Sequence, residues 1–61
     1  MTMTSDERLA GLKQIIERIE EIAMELEYDT EITPERTMLL MAGHKLLTKQ
    51  YWFLFNLPVS E

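Results

Sequence analysis

The residues that most suggest acid–base or metal chemistry are the glutamates Glu17, Glu20, Glu21 and Glu25 and a single histidine, His44. Carboxylates at steps of three and four recur on one side of a helix, the arrangement used by di-metal helical bundles. Those bundles also need Glu-x-x-His pairs pointing inward. The residue three before His44 is Met41, and most of these glutamates fall outside the apolar stripe of their segment. A general base needs a nucleophile or an orienting carboxylate beside it, and the sequence neighbours of His44 are Gly43 and Lys45. Cysteine is absent, which excludes disulfides, iron–sulfur ligation and thiolate zinc sites. There is no glycine-rich phosphate loop and no Ser nucleophile motif. The sequence therefore predicts no catalytic residue, no cofactor and no metal. His44 is expected at the helix surface or at an interface, where it would make association pH-dependent.

A different chemistry, adhesion, is better represented. Met38, Met41, Trp52 and Phe55 fall on one sector of the second half of the chain, with Lys45 and Thr48 between them. Trp and Met are enriched at protein interfaces, and Met-rich surfaces repack around varied partners. The run Tyr51-Trp52-Phe53-Leu54-Phe55 spreads five large side chains around a helix axis, so they cannot all enter one core. Met38, Met41, Lys45, Trp52 and Phe55 are the expected partner or dimer interface, with Lys45 and Lys49 steering.

Charge bounds the partners. The chain carries a net charge of −5, which disfavours direct binding to a phosphate backbone. Its carboxylates crowd the first half: Glu25, Glu27, Asp29 and Glu31 follow Glu17, Glu20 and Glu21, whereas Arg36, Lys45 and Lys49 outnumber Glu35 in the second. The two halves should attract. Glu17, Glu21 and Glu25 form a candidate acidic patch, through which the chain could act as a nucleic-acid-mimicking decoy for a nucleic-acid-binding protein. No apolar run approaches the ~20 residues that span a bilayer, and the acidic balance argues against a membrane surface. The N-terminus lacks the order of a secretion signal, so a cytoplasmic location is expected.

The elements that position these residues follow from caps and periodicity. Thr4-Ser5-Asp6-Glu7 has the spacing of a capping box. Leu9, Leu12, Ile16, Ile19, Ala23 and Leu26 then alternate steps of three and four, a heptad seam widened by Ile15 and Ile22. Thr33-Pro34-Glu35 starts a second helix, with Thr33 as N-cap and Pro34 where a missing N–H costs nothing. Leu39, Ala42, Gly43, Leu46, Leu47, Phe53 and Leu54 are expected to pack on the first helix, with Gly43 allowing close approach and Gln50 pointing into the same sector. Pro58 ends the element.

Together these signals predict an all-α, two-helix antiparallel αα-hairpin: a helix over about 5–27, a turn over 28–33, a helix over 34–56 and a loose tail over 57–61. A chain of 61 residues without cysteine has a small core, so the hairpin is expected to dimerise into a four-helix bundle. The function that fits is a small non-enzymatic interaction module, a homodimer that binds a larger protein through an apolar face of its second helix. By analogy with small acidic phage-type proteins, it would inhibit that protein. The alternatives are the decoy and a structural subunit of a larger assembly.

Overall fold

The computed structural model describes residues 3–59. It consists of two helices, α1 (Ser5–Tyr28) and α2 (Pro34–Phe55), packed antiparallel. Both start on a threonine. The Thr4 hydroxyl accepts from the Glu7 amide at 3.1 Å, and the Glu7 carboxylate accepts from the Thr4 amide at 3.1 Å, a complete capping box. The Thr33 hydroxyl accepts from the Arg36 amide at 3.1 Å, and Pro34 opens the helix. α1 stops without glycine: the Asp29 amide donates to the Glu25 carbonyl, and the Asp29 carboxylate accepts from the Glu31 amide. α2 stops at Asn56, whose side-chain amide donates to the Trp52 carbonyl at 2.8 Å.

The contact between the helices follows heptad steps in both, in a different phase from the expected one. On α1 the inward row is Arg8, Leu12, Ile15, Ile19, Ile22 and Leu26. Leu9, Ile16 and Ala23, expected in the seam, are exposed. On α2 the row through Leu40, Leu47 and Leu54, with Thr37 and Tyr51, turns inward. Leu39, Ala42, Leu46 and Phe53, which the sequence pattern places against α1, face solvent instead, as does Gln50. The reason is width. α1 is apolar over a broader arc than one partner helix covers, so the partner takes one edge, Ile15 and Ile22, and leaves the other.

Two long-range polar contacts hold the ends of the hairpin in register. Near the turn, Arg36 grips Glu25 through Nε and Nη2, at 2.7 and 3.1 Å. At the far end, Arg8 Nη1 donates to the carbonyls of Phe55 and Leu57. The segment after α2 was expected to be loose from residue 57. As far as Val59 it is held instead, by Arg8, by a bond from the Leu57 amide to the Leu54 carbonyl, and by a parallel bridge between Met3 and Val59. Ser60 and Glu61 lie outside the described residues.

Close approach occurs at Gly11, not at the expected Gly43. A Cβ on Gly11 would lie 2.7 Å from Leu54 Cδ2, whereas one on Gly43 would make an ordinary 3.5 Å contact with Ile22 Cδ1. The molecule is a rod, 47 × 15 × 12 Å, with a radius of gyration of 14.4 Å. A globule of this length would have about 10.5 Å.

Candidate interaction surfaces

Packing one edge of each helix against the other creates two flanks with different compositions. A cleft of about 470 Å³, lined by Ala23, Leu26, Glu27, Met41 and His44, fixes which rows share a flank. It places Ala23 beside Met41. Heptad steps back from Ala23 reach Ile16 and Leu9, and heptad steps forward from Met41 reach Thr48 and Phe55. Met38, Lys45 and Trp52 form the adjoining row, further from α1. This flank therefore carries exposed apolar side chains from both helices: Leu9 and Ile16 from α1, Met41, Trp52 and Phe55 from α2.

Its aromatic end is ordered by ring contacts. Trp52 meets Tyr51 edge-on at 5.2 Å and Phe55 edge-on at 5.6 Å, and Phe55 stacks on Tyr51 at 6.2 Å. Half-buried Tyr51 anchors the cluster, while Trp52 remains 55% exposed.

The opposite flank is marked by Gly11 against Leu54 and by Glu25 against Arg36. Here α2 presents Leu39, Leu46 and Phe53 at heptad steps, all exposed. α1 contributes Arg18 and Glu25, one heptad apart, rather than apolar side chains.

Only Leu12 and Leu40 are buried among the described residues, at 9% and 7% exposure. α2 carries apolar side chains on both sides of its packed row, interleaved with Lys45, Lys49 and Gln50, so it has almost no amphipathic direction, whereas α1 has a clear one. Apolar surface left on both sides of a packed row is surface that a further contact can cover. The chain exposes 5147 Å² in total. A compact monomer of 7.2 kDa would expose about 4,100 Å², so the hairpin shows about 1,000 Å² more.

The polar candidates are placed as follows. Glu17 and Glu21 are exposed, and Glu25 at the end of that row is taken up by Arg36. The hydrogen bond from Arg36 lowers the Glu25 carboxyl below its usual value, against an opposing effect of desolvation and with the help of the guanidinium charge. His44 is exposed at the rim of the cleft, near Glu27. Among the described residues no group of three His, Cys, Asp or Glu side chains is placed to hold a metal ion, and no helix is long and apolar enough to cross a membrane.

Leu9 and Ile16 are not among the surface candidates that the sequence suggests, because the heptad seam places them in the core. The signal that corrects this is Ile15 and Ile22, which offer α1 a second apolar edge. Comparison of the chain with family models, with curated proteins and with solved structures finds no match.

Proposed function

We propose that this chain is a cytoplasmic, non-enzymatic interaction protein: a helical hairpin that dimerises into a four-helix bundle and binds a larger protein through apolar surface of α2, modulating that protein by occupying it. The observation that carries this reading is the excess of exposed apolar surface, spread over two flanks of α2. One hairpin partner uses a single edge of each helix and leaves Leu9, Ile16, Met41, Leu46, Trp52 and Phe53 in water. Patches of this extent on small proteins are covered in the working state. Inhibition is the simplest form of modulation for an interaction module, since occupying a surface is enough.

The decoy reading needs a row of free carboxylates. Glu25, the last of that row, is engaged by Arg36, and we favour the apolar reading for that reason. Sedimentation of the purified chain tests the proposal. A dimer or a larger defined oligomer is expected. A stable monomer would overturn the dimer, and one whose tryptophan is also shielded from water would overturn the binding role with it.

A further inference from the structure

We propose that the cleft flank, formed by Leu9, Ile16 and Ala23 of α1 with Met41, Trp52 and Phe55 of α2, is the seat of a second copy of this chain, bound with its turn at the opposite end. The Leu39–Leu46–Phe53 stripe stays outside that contact. This rests on the reading of the chain as self-associating and names the face and the orientation.

A four-helix bundle needs two apolar seams from every helix, one for each neighbour. The cleft flank is where α1 has a second seam to give, since Leu9, Ile16 and Ala23 repeat at heptad steps and are exposed. On the other flank α1 offers Arg18 and the Glu25–Arg36 pair, which suits a surface edge. The area agrees. Over both flanks the hairpin exposes about 1,000 Å² beyond a compact monomer, and one standard interface, which takes about 800 Å² from each partner, would remove most of that excess.

Shape and charge select the orientation. The contacts Arg8–Phe55, Gly11–Leu54, Ile22–Gly43 and Glu25–Arg36 set which residues of the two helices are level, and they put Ile16 level with Thr48 near mid-length. The flank is hollow toward the turn, at the cleft by Ala23 and Met41, and bulky toward the termini, at Trp52 and Phe55. A two-fold axis lying in the contact plane, perpendicular to the helices at the level of Ile16 and Thr48, sets the Trp52 and Phe55 end of each copy over the cleft of the other. It brings α1 against α1 with Lys13 opposite Glu20 of the other copy and, on the same row, Asp6 opposite Glu27, so the charge argument rests on the turns. The turns, each crowded with Glu25, Glu27, Asp29 and Glu31, lie at opposite ends of a rod 47 Å long, far beyond the Debye length of about 8 Å. Turns at the same end would put these carboxylates side by side.

Single-cysteine variants of the full chain test this cleanly, because the native sequence has none. A residue beside the two-fold meets its own copy, so Thr48→Cys should form a covalent dimer on mild oxidation, while Leu46→Cys should not. In sedimentation at micromolar concentration, the wild type and Leu46→Glu should be dimers, and Ile16→Glu a monomer that keeps its helical circular dichroism. A monomeric wild type would overturn the self-association reading together with this inference. A dimer that survives Ile16→Glu, or that dissociates with Leu46→Glu, would overturn the face and leave self-association standing. Failure of Thr48→Cys to cross-link would overturn the orientation. If Ile16→Glu loses its helical signal, the comparison of Thr48→Cys with Leu46→Cys decides on a folded protein.

Discussion

Arg8 reaches across the hairpin to the last turn of α2, where Nη1 sits 3.2 Å from the Phe55 carbonyl and the guanidinium carbon 6.0 Å from the centroid of the Phe55 ring. One cation thereby meets the negative pole of a helix, the carbonyl of its last residue and that of Leu57 just beyond it, and an aromatic face. No basic residue of α2 lies in its own last turn, so Arg8 supplies from the other helix what the local sequence lacks. Arg8→Ala should lower stability by about 1 kcal/mol. The measurement is a urea midpoint, with hydrogen exchange at the Leu57 amide as the local readout. Arg8→Lys should keep part of the effect, because an ammonium retains the charge but not the planar donor pair.

The two glycines should respond differently to alanine. Neither has a positive φ, so alanine fits both backbones. At Gly43 the new methyl makes an ordinary contact with Ile22, and the gain in helix propensity of about 1 kcal/mol should appear nearly whole. At Gly11 it would press on Leu54 Cδ2 at 2.7 Å. That side chain can move, but at the expense of packing, so much of the same gain should be cancelled. Thermal melts should rank Gly43→Ala above the wild type and above Gly11→Ala. The reverse order would mean that the helices approach most closely at the turn end.

Acid should weaken the Glu25–Arg36 link, and the sign follows from its direction. Arg36 holds the Glu25 carboxyl below its ordinary value, so the folded state binds that proton less readily than the unfolded chain. The contribution is therefore fully present above the ordinary carboxylate range and fades as pH falls through the folded value. Its size is modest, since the Arg36 and Glu25 side chains are 52% and 32% exposed and water screens them. Arg36→Ala should show a slightly lower denaturation midpoint than wild type at neutral pH. The two should converge in acid, and an equal gap at both would mean that the contact acts through packing rather than charge.

How much of this could be read from the residues themselves differs between the ends and the middle of each helix. The caps were legible because each is a local motif with one solution: Thr4 with Glu7, and Thr33 with Pro34. The hairpin followed from two helices of similar length and a short turn. The phase of the seam was not legible. Leu12, Ile19 and Leu26 belong to both heptad rows of α1, and apolar residues flank them on either side, so periodicity alone cannot choose an edge. Arg8, polar by type, hid the start of the row that was used. In α2 the apolar side chains encircle the axis, and Leu40–Leu47–Leu54 stands out no more than Leu39–Leu46–Phe53. The candidate surface was legible as an excess of apolar residues on α2, whereas its α1 half was hidden by the same ambiguity.

Trp52 is the natural reporter of any contact on the cleft flank. In the single hairpin its indole is 55% exposed and rests on Tyr51 and Phe55 at the edge of the fold, outside the row that packs on α1. Truncating it should leave both helices formed, because neither its capping nor its inward row is touched. Trp52→Ala should therefore keep the far-ultraviolet circular dichroism of the wild type when the two are compared at equal helicity-saturating concentration. Its effect should fall on association, weakening it by at least tenfold, as expected for an aromatic residue worth more than about 1.4 kcal/mol at an interface. In the wild type, tryptophan emission should shift to the red on dilution as the indole returns to water. The concentration at which it shifts should match the midpoint seen by sedimentation. An emission maximum that is independent of concentration while the sedimentation changes would place Trp52 outside the contact, and the bundle would have to form through the Leu39–Leu46–Phe53 stripe instead.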